Sequence, residues 1–261
     1  MTWSAGYLVS HGGLLARVTR NELIARYAGS ILGFGWVVLA PLLILSVYAL
    51  VYLAIFRVQA PGLTSQRYVL YIFAGLVPFL MTSEALSVGV SSIVGARSVL
   101  NNTAFPIELV PVKTVLASQP TMVVGLVAIL LGLALTQIPL TVLAVPVIWA
   151  LHLLFLVGIN WILSLLTLVF RDLQNLVGVI LTLMLVASPI AYTPEMIPAQ
   201  LVPLFALNPM AYFVTAYQDV LVRGVLPGLG TMVLLFVMSI GLFFLGGRFF
   251  AAAKHALLEF A

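Results

Sequence analysis

Residues 31–56 form an uninterrupted apolar run that directly follows a short segment containing arginines. The run has 26 residues and no charged side chain, which is enough for an α-helix to cross a hydrocarbon core about 30 Å thick. The whole chain is 63% hydrophobic and only 7% charged, with a mean hydropathy of +1.23. A water-soluble domain of 261 residues could not cover that much apolar surface. We therefore predict an all-α protein that lies in a lipid bilayer.

Six stretches of the chain are long and apolar enough to cross a bilayer as helices, at about 31–56, 68–94, 114–136, 140–170, 174–193 and 228–247. An even number of crossings puts both termini on one side, and cytoplasmic loops are enriched in Lys and Arg. Eight Lys and Arg residues fall on the side of the termini and three on the other, so we predict cytoplasmic termini. The eight are Arg17, Arg20, Arg26, Arg97, Lys113, Arg171, Arg248 and Lys254, and the three are Arg57, Arg67 and Arg223.

Residues 1–30, ahead of the first predicted span, have the character of a separate cytoplasmic region. Residues 11–30 mix leucines and a valine with arginines, a pattern that favours an amphipathic helix lying in the membrane interface. A simple polybasic anchor that only sets the topology would also fit. The predicted organisation is therefore an interface helix within 1–30 and a six-span membrane domain over 31–261.

The stretch between the fifth and sixth predicted spans, residues 194–227, is unusual for a loop, and we call it the outer segment. It is too apolar for a free loop, and prolines divide it into pieces of one or two helical turns. Short re-entrant helices would satisfy this pattern where protein or a water-filled cavity surrounds them. We expect them to pack over the outer end of a pathway. A short interfacial cap without a gating role is the alternative.

The sequence carries few of the residue patterns that catalysis or metal binding requires. Its three histidines are far apart, it has no cysteine, and no GxxxxGK[ST] phosphate loop occurs. We therefore predict no catalytic residue, no metal site and no cofactor in this chain. The net charge of +4 comes from thinly spread Lys and Arg, which membrane topology explains better than a nucleic-acid partner. If ATP powers this protein, another chain hydrolyses it.

Five residues within or beside the predicted spans are candidates for lining a transport pathway. Glu84 is the only acid well inside a span, where a charge is costly and should face protein or water. It could line the pathway, pair across a helix interface, be protonated, or be hydrogen-bonded to a neighbouring Ser or Thr. Tyr48, Tyr52, Trp161 and Tyr192 could offer stacking surfaces to a sugar, although most membrane aromatics belong to interface belts or to helix packing.

Arg171 and Asp172 directly follow the fourth predicted span. Such a pair at a helix end often acts as a cap and as a topology anchor. It could equally be a contact for a cytoplasmic partner.

Five stretches of distinctive sequence run in order along nearly the whole chain. They are RYAGSILGFGWVVLAPLLILSVYALVYLAIF at 26–56, SVLNNTAFPIELVPVKTVLAS at 98–118, FRDLQNLV at 170–177, SPIAYTPEMIP at 188–198 and LNPMAYFVTAYQDVLVRG at 207–224. Together they resemble the permeases of ABC type-2 polysaccharide exporters. Within that class the sequence is most similar to the O-antigen exporters, with teichoic-acid and capsule exporters as relatives.

The resemblance implies a homodimer of six-span subunits in which each subunit binds a separate cytoplasmic ABC ATPase chain, and ATP and Mg²⁺ would be bound by that partner. It places a short coupling helix for the ATPase at about 97–108, within the loop 95–113, and it matches the outer segment to gate helices. The residues implied in coupling are Arg97, Asn101, Asn102, Phe105 and Pro106, to which the pair Arg171 and Asp172 is added. Those of the outer gate are Pro194, Pro198, Asn208, Pro209 and Tyr212.

We therefore predict a transport subunit, and not an enzyme, that moves a lipid-linked polysaccharide across the cytoplasmic (inner) membrane of a bacterium. A different ABC type-2 cargo, such as teichoic acid, capsule, a drug or a small lipid, is the first alternative. The second is a membrane enzyme acting on an isoprenoid carrier, which would need a polar catalytic cluster that the sequence does not show.

Overall fold

The computed structural model describes residues 6, 10–52, 63–96, 105–193 and 196–258, and every regular element in those ranges is helical. The predicted all-α class is confirmed for this part of the chain. Its longer helices are α1 (Gly12–Tyr27), α2 (Trp36–Leu50), α3 (Ser65–Gly89), α4 (Leu109–Ala117), α5 (Gln119–Ala134), α6 (Val145–Val169), α7 (Leu173–Val186), α8 (Pro209–Gln218) and α9 (Leu229–Leu258). Short helical turns at Ser92–Gly95, Leu140–Ala144 and Val202–Ala206 lie between them.

Five stretches of the described chain are long and apolar enough to cross a membrane, so the chain is a multi-pass membrane protein. They correspond to the first, second, third, fourth and sixth predicted spans. The third combines α4 and α5, which meet at a turn. Residues 53–56, the end of the first predicted span, lie outside the described residues. The five stretches are Gly33–Leu50, Ser65–Gly89, Leu109–Ala134, Leu140–Val169 and Leu229–Lys254.

The fifth predicted span, 174–193, is shorter than the sequence indicated. Its helix, α7, has 14 residues and is therefore about 21 Å long at 1.5 Å per residue, which is less than the hydrocarbon thickness. Irregular chain follows over residues 187–193. Pro189 explains this end, because proline has no N–H and its ring clashes with the carbonyl four residues earlier. The preceding residue, Ser188, is also disfavoured in helical conformation.

α3 is the central helix of the bundle. In its most apolar 18 residues, 72% of the residues are buried inside the protein, whereas the corresponding share for the first span is 17%. It packs against α4, α5, α6 and α8. Its approach to α5 is close, because a Cβ atom on Gly125 would lie 2.4 Å from the Val77 methyl carbons. In lipid, where apolar burial hardly drives helix association, such close packing carries much of the stability.

α6 and α9 form the most extensive helix pair in the described chain, and their backbones touch. A Cβ atom on Gly158 of α6 would lie 2.4 Å from the carbonyl oxygen of Leu242. A Cβ atom on Gly246 of α9 would lie 2.2 Å from the carbonyl oxygen of Gly158. The contact is therefore possible only because both positions are glycine.

Both ends of the described chain lie on the same side of the bundle, which we call the terminal side. On α1, which packs along α4, Glu22 forms an ion pair with Lys113 of α4, with 2.9 Å between Oε2 and Nζ. Near the end of α9, Lys254 forms an ion pair with Glu108, the residue directly before α4. A helix thus occupies the region of the predicted interface helix, while its position at a membrane surface stays a prediction.

Replacing Gly158 or Gly246 by alanine should lower the thermal stability of the detergent-solubilised protein. The added methyl group would meet backbone atoms that cannot rotate away, at a cost of about 1–3 kcal/mol. The matched control is Gly241→Ala on the same helix α9, where nothing lies within 4 Å of the added Cβ. Melting temperatures equal to that of the control would contradict the close contact.

Candidate functional site

Glu84 joins three helices on the terminal side of the bundle. One of its carboxylate oxygens pairs with the guanidinium group of Arg26 on α1. The other accepts a hydrogen bond of 2.7 Å from the Thr121 hydroxyl on α5. The Arg26 and Glu84 side chains are each 26% exposed. This charge inside a predicted span is therefore paired across one helix interface and hydrogen-bonded across another.

A cavity of about 360 Å³ lies beside Glu84. Its walls come from α1, α2, α3, α5 and the last residue of α4, and most of them are apolar. Ser83 and Ser87, one helical turn apart on α3, add hydroxyl groups on the same face as Glu84. A carboxylate that faces such a partly polar space costs less than one that faces lipid.

Two of the predicted coupling residues, Phe105 and Pro106, lie just before α4. Phe105 is partly buried against the hydrophobic core, and the Pro106 carbonyl accepts a hydrogen bond from the first turn of α4. Arg97, Asn101 and Asn102 lie outside the described residues.

Glu108 is the last residue of the predicted coupling helix at about 97–108, which we call the coupling segment, and it contacts two long helices. Its carboxylate pairs with Lys254 of α9. Its carbonyl oxygen accepts a hydrogen bond of 2.9 Å from the indole N–H of Trp161 on α6. Trp161 is fully buried and packs against Phe243 of α9, with 5.3 Å between ring centroids. This predicted pathway residue is thus enclosed by helices of its own subunit.

Arg171 and Asp172 form the turn between α6 and α7, and both are exposed. Neither side chain forms a hydrogen bond or an ion pair with the part of the chain that the structure describes. Both are therefore available to a partner on the terminal side.

Three of the predicted pathway tyrosines gather on the side opposite the chain ends. Tyr48 and Tyr52 stack with 6.2 Å between ring centroids and 23° between ring planes. Tyr52 also interacts electrostatically with Tyr192 and with Tyr68. The Tyr192 hydroxyl donates a hydrogen bond of 3.0 Å to the Val186 carbonyl at the end of α7. The structure thus separates these rings from Glu84 and Trp161 on the terminal side.

Two successive stretches of the outer segment differ in burial. Residues 196–207, which include Pro198, are largely exposed, whereas no residue of 208–223 is exposed. The second part consists of α8 and the π-helical turn Asp219–Arg223. Pro194 lies outside the described residues. The outer segment is therefore not one uniform unit.

Three of the predicted gate residues define the beginning of α8. The Asn208 side-chain oxygen accepts a hydrogen bond of 2.9 Å from the Met210 backbone N–H, which caps the helix. Pro209 occupies the first helical position, where its missing N–H has no consequence. The Tyr212 hydroxyl donates to the Ala206 carbonyl at 3.0 Å and so connects α8 to the exposed part.

Sequence reasoning missed the partners of Glu84, namely Arg26 and Thr121, and it missed Gln218. Gln218 is fully buried at the end of α8 and donates hydrogen bonds to the carbonyls of Pro189 and Ile190. The available signal was an uncharged polar residue in an apolar stretch, but its partners could not be named before the end of α7 was known.

A comparison with known protein families agrees with this arrangement. The model of the family described as ABC-2 type transporter matches residues 14–222. The chain therefore belongs to the ABC-2 type transporter family, as a membrane-embedded transport subunit. The resemblance noted in the sequence is confirmed at this level.

Similar proteins extend over most of the chain. The O-antigen export system permease protein RfbA of Myxococcus xanthus is 31% identical over 256 residues, which are 97% of this chain and 96% of that protein. An O-antigen export system permease protein RfbA of Klebsiella pneumoniae is 29% identical over 233 residues, 87% of this chain and 85% of that protein. The similarity is thus not confined to one segment.

The substitutions Arg26→Gln and Glu84→Gln should each destabilise the protein, and the double substitution should recover part of the loss. Each single change leaves one charge without its partner in a partly buried place, whereas the double change removes both charges. We expect a coupling energy on the order of 1 kcal/mol in a double-mutant cycle of thermal stability. Arg17→Gln, on an exposed position of α1, is the control. Strictly additive effects of the two changes would contradict the pairing.

Proposed function

We propose that this chain is the permease subunit of an ATP-driven exporter, which moves a lipid-linked, O-antigen-like polysaccharide across the cytoplasmic membrane of a bacterium. The observation that carries the proposal is the nearly full-length similarity to permeases named for O-antigen export. The five long apolar helices are in keeping with it, because they supply most of a membrane domain.

Six crossings fit the positions of the chain ends better than five. α1 and the end of α9 both form ion pairs with residues 108–113, and an odd number of crossings would put them on opposite sides. α7 and the irregular residues 187–193 would together supply the remaining crossing, which is the fifth along the chain. They reach the opposite side of the bundle, because the Ala191 carbonyl accepts a hydrogen bond from Tyr68, near the end of α3 that lies away from the terminal side. The excess of Lys and Arg on the terminal side favours the cytoplasm for both termini.

A second copy of the chain would cover the exposed face of α7. Only Val177 and Leu181 of this helix are buried, while Gln174, Asn175 and Thr182 are exposed. α7 thus has little packing within its own subunit, and a second copy would supply the close helix contacts that stabilise a helix in lipid. We therefore infer a homodimer with α7 and the little-buried α2 at its seam.

The ATPase partner would bind on the terminal side. Phe105 and Pro106 mark the described end of the coupling segment, and Arg171 and Asp172 lie exposed on the same side. Two permease subunits and two ATPase chains would form the assembly, with ATP and Mg²⁺ held by the ATPase.

In the proposed cycle, ATP binding and hydrolysis in the partner displace the coupling segment. Glu108 would pass this displacement to α6 and α9, through its contacts with Trp161 and Lys254. The glycan would move between the two subunits and then past Tyr48, Tyr52 and Tyr192, which lie on the side of the bundle away from the chain ends. Their flat rings can stack on sugars. It would leave beneath the outer segment.

A tagged copy purified from its native membrane in mild detergent should carry a soluble partner chain. Mass spectrometry should identify a protein with a phosphate-binding loop, at about one copy per permease as the assembly requires, and the preparation should hydrolyse ATP. Light scattering should give the mass of two permeases with two ATPases. A chain that purifies alone, as a monomer and without ATPase activity, would contradict the proposed assembly.

Deleting the gene should remove polysaccharide from the cell surface, while the lipid-linked glycan accumulates inside the cell. The variant Phe105→Ala/Pro106→Ala should fail to restore export, because its coupling to the ATPase is lost, although the dimer should still assemble. The matched control is Phe236→Ala, which removes an exposed ring from α9 and should restore export. Normal surface glycan in the double variant would show that the docking site is wrong. A deletion that leaves no completed glycan inside the cell would point instead to an enzyme of glycan assembly.

A further inference from the structure

The chain between α7 and the outer segment leaves helical conformation in the interior of the protein. Each backbone carbonyl there needs a donor, since no water or lipid headgroup can serve it. The Gln218 side-chain amide of α8 donates to the carbonyls of Pro189 and Ile190, at 2.9 Å and 3.1 Å. One side chain therefore supplies two consecutive carbonyls of the break.

Neighbouring side chains complete the same arrangement. The Tyr68 hydroxyl donates to the Ala191 carbonyl at 2.6 Å, and the Asn208 amide donates to the Ser188 hydroxyl at 2.9 Å. Every residue of 188–191 is thus held by a side chain from α3 or from the α8 region. The break is a defined conformation with its own set of partners.

Gln218 also reaches α3, where its amide nitrogen lies 3.3 Å from the Tyr71 carbonyl oxygen. The space for this amide exists because residue 75 is glycine. A Cβ atom on Gly75 would lie 2.7 Å from the Gln218 amide nitrogen and 3.0 Å from a Val214 methyl carbon. Gly75 and Gln218 therefore fit each other as a pair.

Further contacts hold the buried part of the outer segment, 208–223, against the bundle. The Phe213 ring stacks on His152 of α6, with 4.1 Å between centroids. The Thr141 hydroxyl donates to the Val220 carbonyl at 2.7 Å, within the π-helical turn. The exposed part, 196–207, has far less buried surface.

We propose that Gln218 is a positioning residue that holds α8 to the chain break by hydrogen bonds and against α3 by close packing at Gly75, so that 208–223 stays a fixed wall of the outer exit while cargo passes. Any movement of the described outer segment during transport is then confined to the stretches on either side of this wall, 196–207 and 224–227. The structural part of this inference stands on the contacts above. The part that concerns cargo rests on the proposed function.

The natural absence of cysteine allows a direct test by thiol labelling. Ile190→Cys places one thiol at a buried position inside the break, and Ala199→Cys places one at an exposed position as the reference for full access. A membrane-impermeant maleimide is added to spheroplasts that contain the permease with its ATPase. Labelling of residue 190 relative to residue 199 reports how far the break is opened.

Two substitutions disturb, by different routes, the contacts of the Gln218 amide with residues 189–190 and with α3, which we call the pin. Gln218→Met keeps most of the side-chain volume and removes the donors, whereas Gly75→Ala keeps the donors and displaces the amide. Gly75→Ala replaces a helix-interior glycine by a better helix former, so a loss of order would not come from the backbone of α3. Gly241→Ala is the matched glycine control, because nothing lies within 4 Å of its added Cβ.

Both disturbing variants should raise the labelling rate of residue 190 at least about tenfold, since an unmade buried hydrogen bond costs that factor or more. Gly241→Ala should leave the rate unchanged. With the pin intact, ATP turnover and export should not raise it either. An unchanged rate in Gln218→Met and Gly75→Ala would overturn the pin. A rise during export with the pin intact would overturn the fixed wall. The labelling in resting spheroplasts does not depend on the cargo, so a wrong cargo would leave this result standing.

Discussion

The bilayer interior offers no hydrogen-bond partner to a polypeptide backbone, and both the helices and the breaks of this protein follow from that constraint. Along α9 and most of α6 the backbone satisfies itself. Where the chain leaves helical conformation after α7, side-chain donors take over, chiefly Gln218 and Tyr68. The same constraint explains why residues 188–191 are enclosed by protein, since a break that faced lipid would leave its carbonyls unpaired.

Partly buried charged side chains obey the same constraint, and on the terminal side three ion pairs join distant elements. The pair of α1 with α3 and the pair of α1 with α4 hold the N-terminal helix to the bundle. A third pair holds the end of α9 to the residue before α4. These pairs are Arg26 with Glu84, Glu22 with Lys113 and Lys254 with Glu108. The elements around the coupling segment are thereby tied into one unit.

Hydropathy was sufficient to predict five long helices, because a helix of the right length is the only local solution for such sequences in lipid. It failed for α7, since the apolar sequence continues through Ile190 and only Pro189 marks the end of the helix. The sequence also predicted that Glu84 needs a partner, because a charged side chain within a span has to face protein or water. Which partners it finds was not, since Arg26 lies 58 residues away in sequence and only the folded chain brings the two together.

The glycine contact between α6 and α9 has a mechanical consequence. At Gly158 and Gly246 no side chain separates the two backbones, so the helices cannot slide or rotate past each other there before carbonyl groups collide, and they should move as one rigid unit. α6 alone has 25 residues, or about 37 Å at 1.5 Å per residue. Glu108 contacts this pair of helices toward the terminal side, through Trp161 of α6 and Lys254 of α9. If the two helices tilt together about these contacts, their ends on the side opposite the terminal side move sideways further than the ends near the contacts.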